Sequence, residues 1–320
     1  MGVALIIIYN HRFDQNIPKL EKIYAKRFSK IYHLVPFYDG DLPNVIPVFE
    51  KSFYFQAYVS VAWTYLKNKG IKQFVFIGDD LILNPEINER NFSQKLGIDI
   101  KDAFLPWFWG SLSDLPMEYP NFMPGLNAFY QKEHFKHHAF NWKETLPSYE
   151  FAKNCLEKHG FKTDKITWRN LKGYYHPFKY RHFKNRLRNF LKLAVTKKLN
   201  PPYPIVAGYA DIFVIPAHDM DECCRVMDIF RNMRLWVEFA IPTTILLMCE
   251  NVKTEKDISM KGLLPNEFFK SAERTDAPVD TGKAKLIFDK INTNNFEQLD
   301  ELFDQHTLYI HPIKLSKVNL

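Results

Sequence analysis

Two adjacent carboxylates close an otherwise apolar run, Phe74-Val75-Phe76-Ile77-Gly78-Asp79-Asp80, and Leu81-Ile82-Leu83 resumes the apolar pattern at once. Burying two like charges side by side is costly unless a cation neutralises them. A hard divalent ion such as Mg²⁺ or Mn²⁺ takes one or two carboxylates and completes its shell with water and substrate phosphates. The plainer alternative is an exposed Gly-Asp-Asp turn, but the apolar walls on both sides favour the metal. Two more acids stand alone among greasy neighbours, Asp211 within 204–213 and Glu238 within 235–242. Desolvation raises the pKa of such a group toward the range of a general base. Capping a helix, or pairing with Arg231 or Arg234, is the alternative for both. Trp107, Phe108 and Trp109 offer rings for stacking on a sugar, or simply core.

These residues need elements to position them. Residues 3–9 form a continuous apolar run without alternation, the pattern of a strand covered on both faces. The segment 18–29 places Ile17, Leu20, Ile23, Tyr24 and Phe28 at helical intervals, and 31–35 supply a second strand. A second unit follows, with a helix over 53–69 closed by Gly70 and a strand over 74–77. Two such units predict an α/β fold with a mostly parallel, doubly wound sheet flanked by helices, whose ligands gather at the carboxyl ends of the strands. Those ends fall at Asn10, Pro36 and Gly78. Further along, 149–159 reads as a helix, 205–215 as a strand pair, 219–231 and 236–249 as helices, and 308–310 as a short strand.

At Gly78-Asp79-Asp80 the sequence resembles the GT-A class of nucleotide-sugar-dependent glycosyltransferases, whose Asp-x-Asp motif ends a core strand. Gly78 replaces the first aspartate of that motif, and Asp80 matches the second. From Tyr9-Asn10-His11-Arg12 to His311-Pro312-Ile313-Lys314, the chain looks like bacterial capsule and O-antigen transferases of this class. The resemblance implies Asp80, Asp79 and His311 as metal ligands and Lys314 at the diphosphate. It further implies Tyr9, Asn10, Arg12 and Asp39 at the nucleotide, and Glu238 or Asp211 as the base for an acceptor hydroxyl. The implied cofactor is Mn²⁺ or Mg²⁺, with a nucleotide-diphosphate sugar, a UDP-sugar first, as donor.

The chain has 320 residues, 46% of them hydrophobic and 16% aromatic, which excludes a disordered or disulfide-stapled chain. It reads as one catalytic domain, 1–320. The nucleotide-sugar half would be 1–135, a helical insertion 136–204, and the acceptor half with its metal and diphosphate segment 205–320. The formal charge of +7 is concentrated in 174–200, where Lys179, Arg181, Lys184, Arg186, Arg188, Lys192, Lys197 and Lys198 stand without a single acid. Phe183, Leu187, Phe190 and Leu191 fall on another helical face of the same segment. That combination predicts a cationic amphipathic helix on an anionic membrane surface. The remainder is near neutral, so no nucleic acid partner is expected. Cys155, Cys223, Cys224 and Cys249 fit neither a zinc finger nor a disulfide framework, and a reducing cytoplasm is expected. The opening apolar run is too short for a signal peptide. A cytoplasmic enzyme, peripheral at the inner face of the membrane, is therefore the expectation.

The expected function is transfer of a sugar to a glycan or lipid-linked acceptor in bacterial surface-polysaccharide synthesis. One rival is a palm-type nucleotidyltransferase or polymerase using Gly-Asp-Asp. The other is a non-catalytic glycan- or membrane-binding protein with the same fold.

Overall fold

The computed structural model describes residues 2–130, 141–171, 180–265, 281–293 and 299–315. Its strands are β1 (Val3–Ile8), β2 (Ile31–Pro36), β3 (Val45–Val48), β4 (Gln73–Gly78), β5 (Ile82–Leu83), β6 (Ala103–Phe104), β7 (Phe108–Ser111), β8 (Val206–Gly208), β9 (Ile212–Pro216), β10 (Val252–Lys253), β11 (Lys261–Leu263) and β12 (Thr307–Ile310). Seven of them form the central sheet in the order β10-β6-β9-β4-β1-β2-β3. β1 to β4 run parallel, and β9 is antiparallel to both of its neighbours. The protein is thus an α/β structure whose mostly parallel sheet is flanked by helices. β11, β12 and β5 make a second, smaller sheet, and β7 pairs with β8.

The uninterrupted apolar sequence of β1 is explained by helices on both faces. Val3, Leu5 and Ile7 pack with Ile17, Leu20 and Tyr24 of the helix Ile17–Tyr24. Ala4, Ile6 and Ile8 pack with Tyr58, Val59 and Ala62 of the helix Phe55–Leu66 and with Met220 and Met227 of the helix Met220–Asn232. Directly opposite each other on β4 and β9, Phe76 and Phe213 stack at 4.7 Å, a contact contributing about 0.5–1.5 kcal/mol beyond its buried area. A charge in the middle of such strands would cost several kcal/mol. The acids accordingly collect where the strands end.

A third core joins 112–129 and 146–166 to the helix Val237–Met248, which is buried nearly all round and holds Pro242 in its interior. The segment expected as a helical insertion thus shares its core with the second half of the chain. Within the basic segment the structure has a helix, Tyr180–Val195. Arg186 is buried and ion-paired to Glu118, so it leaves the outward-facing basic set. Lys179 lies outside the described residues. No helix among the described residues is long and apolar enough to cross a membrane.

Several elements differ from their sequence reading. The helix expected over 18–29 stops at Tyr24. The pair expected over 205–215 splits between two sheets, because β8 joins β7 while β9 enters the central sheet. β3 was not foreseen, since Pro47 stands inside it. Proline is tolerated on an edge strand, and β3 is the edge of the sheet.

Candidate active site

β1 and β4 end at the same edge of the sheet, and the reversed β9 begins there. The backbone ties these ends together: Gly78 N–H donates to Asp211 O at 2.8 Å and Asp79 N–H to Ile8 O at 2.9 Å. Asn10, Asp79, Asp80 and Asp211 therefore share one rim. His311 reaches it from far along the chain. β12 pairs antiparallel with β5, Ile310 opposite Ile82, so the chain after Ile310 runs back past Leu81 and the His311 side chain reaches Asp80. Ile313 N–H then donates to Asp80 O at 2.7 Å, fixing the turn.

The adjacent aspartates have different surroundings. Asp79 is buried, and its oxygens accept from Asn16 Nδ2 at 3.1 Å and from the Asn10 backbone N–H at 3.4 Å. Burial first, and then the charge of Asp80, push its carboxyl up to about 6 against those hydrogen bonds. Asp80 is partly open, but its Oδ1 is buried and takes no hydrogen bond. His311 Nε2 lies 3.2 Å from that oxygen without hydrogen-bond alignment, and His311 Nδ1 is 2.8 Å from Tyr209 Oη. Burial opposes a charge on His311, but Asp211, Asp80 and Asp79 outweigh it and hold the imidazole above its ordinary value. Burial raises the Asp211 carboxyl, with His311 opposing and Asp80 adding to the rise.

A buried carboxylate oxygen with no aligned hydrogen bond, paired with the His311 imidazole at 3.2 Å, fits a hard divalent cation that would take the place of the imidazole's proton. Among the described residues no three His, Cys, Asp or Glu side chains form a ready ligand cluster. Asp80 and His311 would hold the ion as two protein donors, leaving its other positions to water and phosphate. Imidazole ligation favours Mn²⁺ over Mg²⁺. Asp79, expected as a ligand, instead spends its oxygens on Asn10 and Asn16. Gly78 sits tightly here, since a Cβ on it would stand 3.2 Å from Asp80 Oδ1. A bulkier residue at that motif position would crowd the orphaned oxygen.

Beside this rim lies a cleft of about 200 Å³ lined by Asn10, Ser52, Phe53, Asp211, Trp236 and Glu238. That is smaller than the ~300 Å³ at which drug-sized pockets begin, so it suits a single ring rather than a whole nucleotide sugar. Glu238 opens the helix Val237–Met248. Its Oε2 accepts from Tyr119 Oη at 2.6 Å and Trp236 Nε1 at 3.0 Å, which leaves Oε1 available to a cleft ligand. Burial pushes the carboxyl up to about 6, with Asp211 adding to the rise and the two hydrogen bonds opposing it. The alternative partners Arg231 and Arg234 are not used, and Arg231 pairs with Glu50 instead.

Other expected residues are placed differently. Tyr9, expected at the nucleotide, is fully buried, its Oη 2.8 Å from His33 Nδ1. Arg12 and Asp39 are exposed on the rim and bound to each other, with Asp14 on the same guanidinium. Lys314 is exposed. Trp107 stacks on Tyr209 at 4.3 Å as core rather than as a sugar platform. Asn16, Tyr119, Tyr209 and Trp236, which orient the acids and the histidine, carry no sequence signal beyond their hydrogen-bonding types. Compared with known proteins, the chain matches no family model and no curated protein.

Proposed function

We propose that the chain is a metal-dependent glycosyltransferase of the GT-A kind. It would move a sugar from a nucleotide-diphosphate donor, a UDP-sugar first, to a glycan or lipid-linked oligosaccharide in bacterial surface-polysaccharide synthesis. The observation that carries this reading is the meeting of Asp80 and His311 at the carboxyl edge of the sheet, beside a cleft lined by Asp211 and Glu238.

A divalent cation bound there would stabilise the negative charge that builds on the leaving diphosphate. Asp80 and His311 hold it, and Lys314, exposed three residues past His311, is assigned to the same diphosphate. Asn10, Arg12 and Asp39 line the rim on the nucleotide side. In the cleft, Glu238 takes the proton of the acceptor hydroxyl on Oε1 while Tyr119 and Trp236 fix the carboxylate through Oε2. With its pKa near 6, Glu238 is mostly ionised at pH 7 and still more basic than an ordinary carboxylate. A base on the acceptor side implies inversion at the anomeric carbon.

Asp211 beside Asp80 also supplies the second carboxylate that a palm-type nucleotidyltransferase needs, which is absent upstream of Gly78. One experiment separates the readings: a thermal-shift and donor-hydrolysis screen of UDP-, GDP-, CMP- and dTDP-sugars and nucleoside triphosphates, with and without Mn²⁺. A ligand at 100 times its dissociation constant adds about 2.7 kcal/mol. Stabilisation and slow hydrolysis with a UDP-sugar and Mn²⁺ are expected. A response to nucleoside triphosphates alone would transfer the assignment to nucleotidyl transfer. No response to any of them would leave a non-catalytic binding protein.

A further inference from the structure

The helix Tyr180–Val195 presents an apolar stripe to solvent: Phe183 is 41% exposed, Leu187 36%, Leu191 53% and Val195 82%. Their spacing of four residues winds the stripe along about 18 Å of helix at 1.5 Å per residue. Lys184, Arg188 and Lys192 each follow a stripe residue and are exposed beside it. The helix contains no acid. Its other side is fixed to the protein, with Leu193 2% exposed in the third core, Phe190 packed against that core, and Arg186 3% exposed on Glu118. The short helix Trp168–Leu171 packs against it and carries Trp168, 67% exposed. Tryptophan is enriched at the headgroup level of membranes.

We propose that this helix is the face by which the protein docks on an anionic lipid surface, with Phe183, Leu187, Leu191 and Val195 entering the headgroup boundary and Lys184, Arg188 and Lys192 meeting lipid phosphates. The chemistry is that of an interfacial amphipathic helix. A second copy is a poorer occupant: pairing two such faces would bring six cations together with no acid on either helix. The inference stands apart from the proposed activity, because docking needs neither donor nor acceptor.

The test is flotation of the full chain with phosphatidylcholine vesicles with and without phosphatidylglycerol. Two variants are compared with wild type: Lys184→Gln/Arg188→Gln/Lys192→Gln, and Leu187→Ser/Leu191→Ser. Wild type should float only with phosphatidylglycerol, and salt near 1 M, where the Debye length is about 3 Å, should release it. The charge variant should bind about 100-fold more weakly, and the leucine variant, with every charge retained, at least about tenfold more weakly. Both should melt at the wild-type temperature, because the altered side chains are exposed.

Equal vesicle binding by all three proteins would overturn the proposal. So would a leucine variant that still binds like wild type, since charge alone would then be responsible. A marked fall in its melting temperature would show the stripe already covered by the chain itself. A wild-type dimer that ignores vesicles and dissociates in the leucine variant would assign the face to a second copy.

Discussion

Asp79 and Asp80 are chain neighbours, and side-chain direction separates them: one faces inward to Asn16 and Asn10, the other faces His311. Asp80→Asn should therefore abolish Mn²⁺ binding, read by electron paramagnetic resonance, and sugar transfer with it. Its fold in chelator should persist, because the lost attraction of Asp80 for His311 is offset by the removal of its repulsion on Asp79 and Asp211. Retained Mn²⁺ binding would move the metal elsewhere. Glu238 gives a second test, in two readouts. As base it must be ionised, so turnover should rise with pH through about 6, and Glu238→Gln should lose that limb along with about 10²-fold or more in kcat. The stability effect runs the other way. A carboxyl near 4.5 unfolded and about 6 folded binds more protons when folded, so the native state weakens as pH climbs between those values. Gln keeps an acceptor for Tyr119 and Trp236 without the charge. Chemical denaturation should find Glu238→Gln about 2 kcal/mol more stable than wild type at pH 8 and equal to it at pH 4. Equal stability at both would show that Glu238 is not desolvated.

At the scale of elements, the small sheet β11-β12-β5 is what carries His311 to Asp80. Its tightest point is Gly262, where a Cβ would stand 2.0 Å from Tyr309 Cζ. Tyr309 Oη donates to Glu255 Oε1 at 3.1 Å in a buried setting, so the ring has little freedom to swing away. Gly262→Ala should cost about 1–3 kcal/mol of overpacking and should also weaken Mn²⁺ binding, because β12 is displaced two residues before His311. A stability loss with unchanged Mn²⁺ affinity would detach the histidine from the metal. The same elements show what the sequence makes legible. β1 and β4 were readable because burial on both faces erases alternation, and the acids after β4 stood out against that background. β3 was hidden by Pro47, which an edge position permits. Tyr9 was read as part of the rim, although Val3, Leu5 and Ile7 share its face and lead it into the core toward His33. The meeting of His311 with Asp80 depends on the pairing of β12 with β5, and three apolar residues at 308–310 do not specify their partner. Arg186 looked like its basic neighbours because Glu118, its partner, is remote in sequence.

For the whole molecule, the site is distributed over the sheet edge, the small sheet and the helix Val237–Met248, so a ligand that bridges them should stabilise the entire fold rather than one part. Mn²⁺ with UDP at saturating concentration should raise the single melting transition, and Asp80→Asn should erase the Mn²⁺-dependent part of that rise. A rise that survives in Asp80→Asn would show nucleotide binding independent of the metal. The placement of β12 also has a consequence for biosynthesis. A ribosome adding about 5–20 residues per second makes Asp80 roughly 12–46 s before His311. Through that interval the growing chain holds Asp79 and Asp80, and later Asp211 and Glu238, without the histidine that joins them, and the strand that will deliver it has not been made. If the rim grips Mn²⁺ as proposed, a nascent copy would have no means of doing so, and any activity that depends on the ion would arrive only after β12 has left the ribosome.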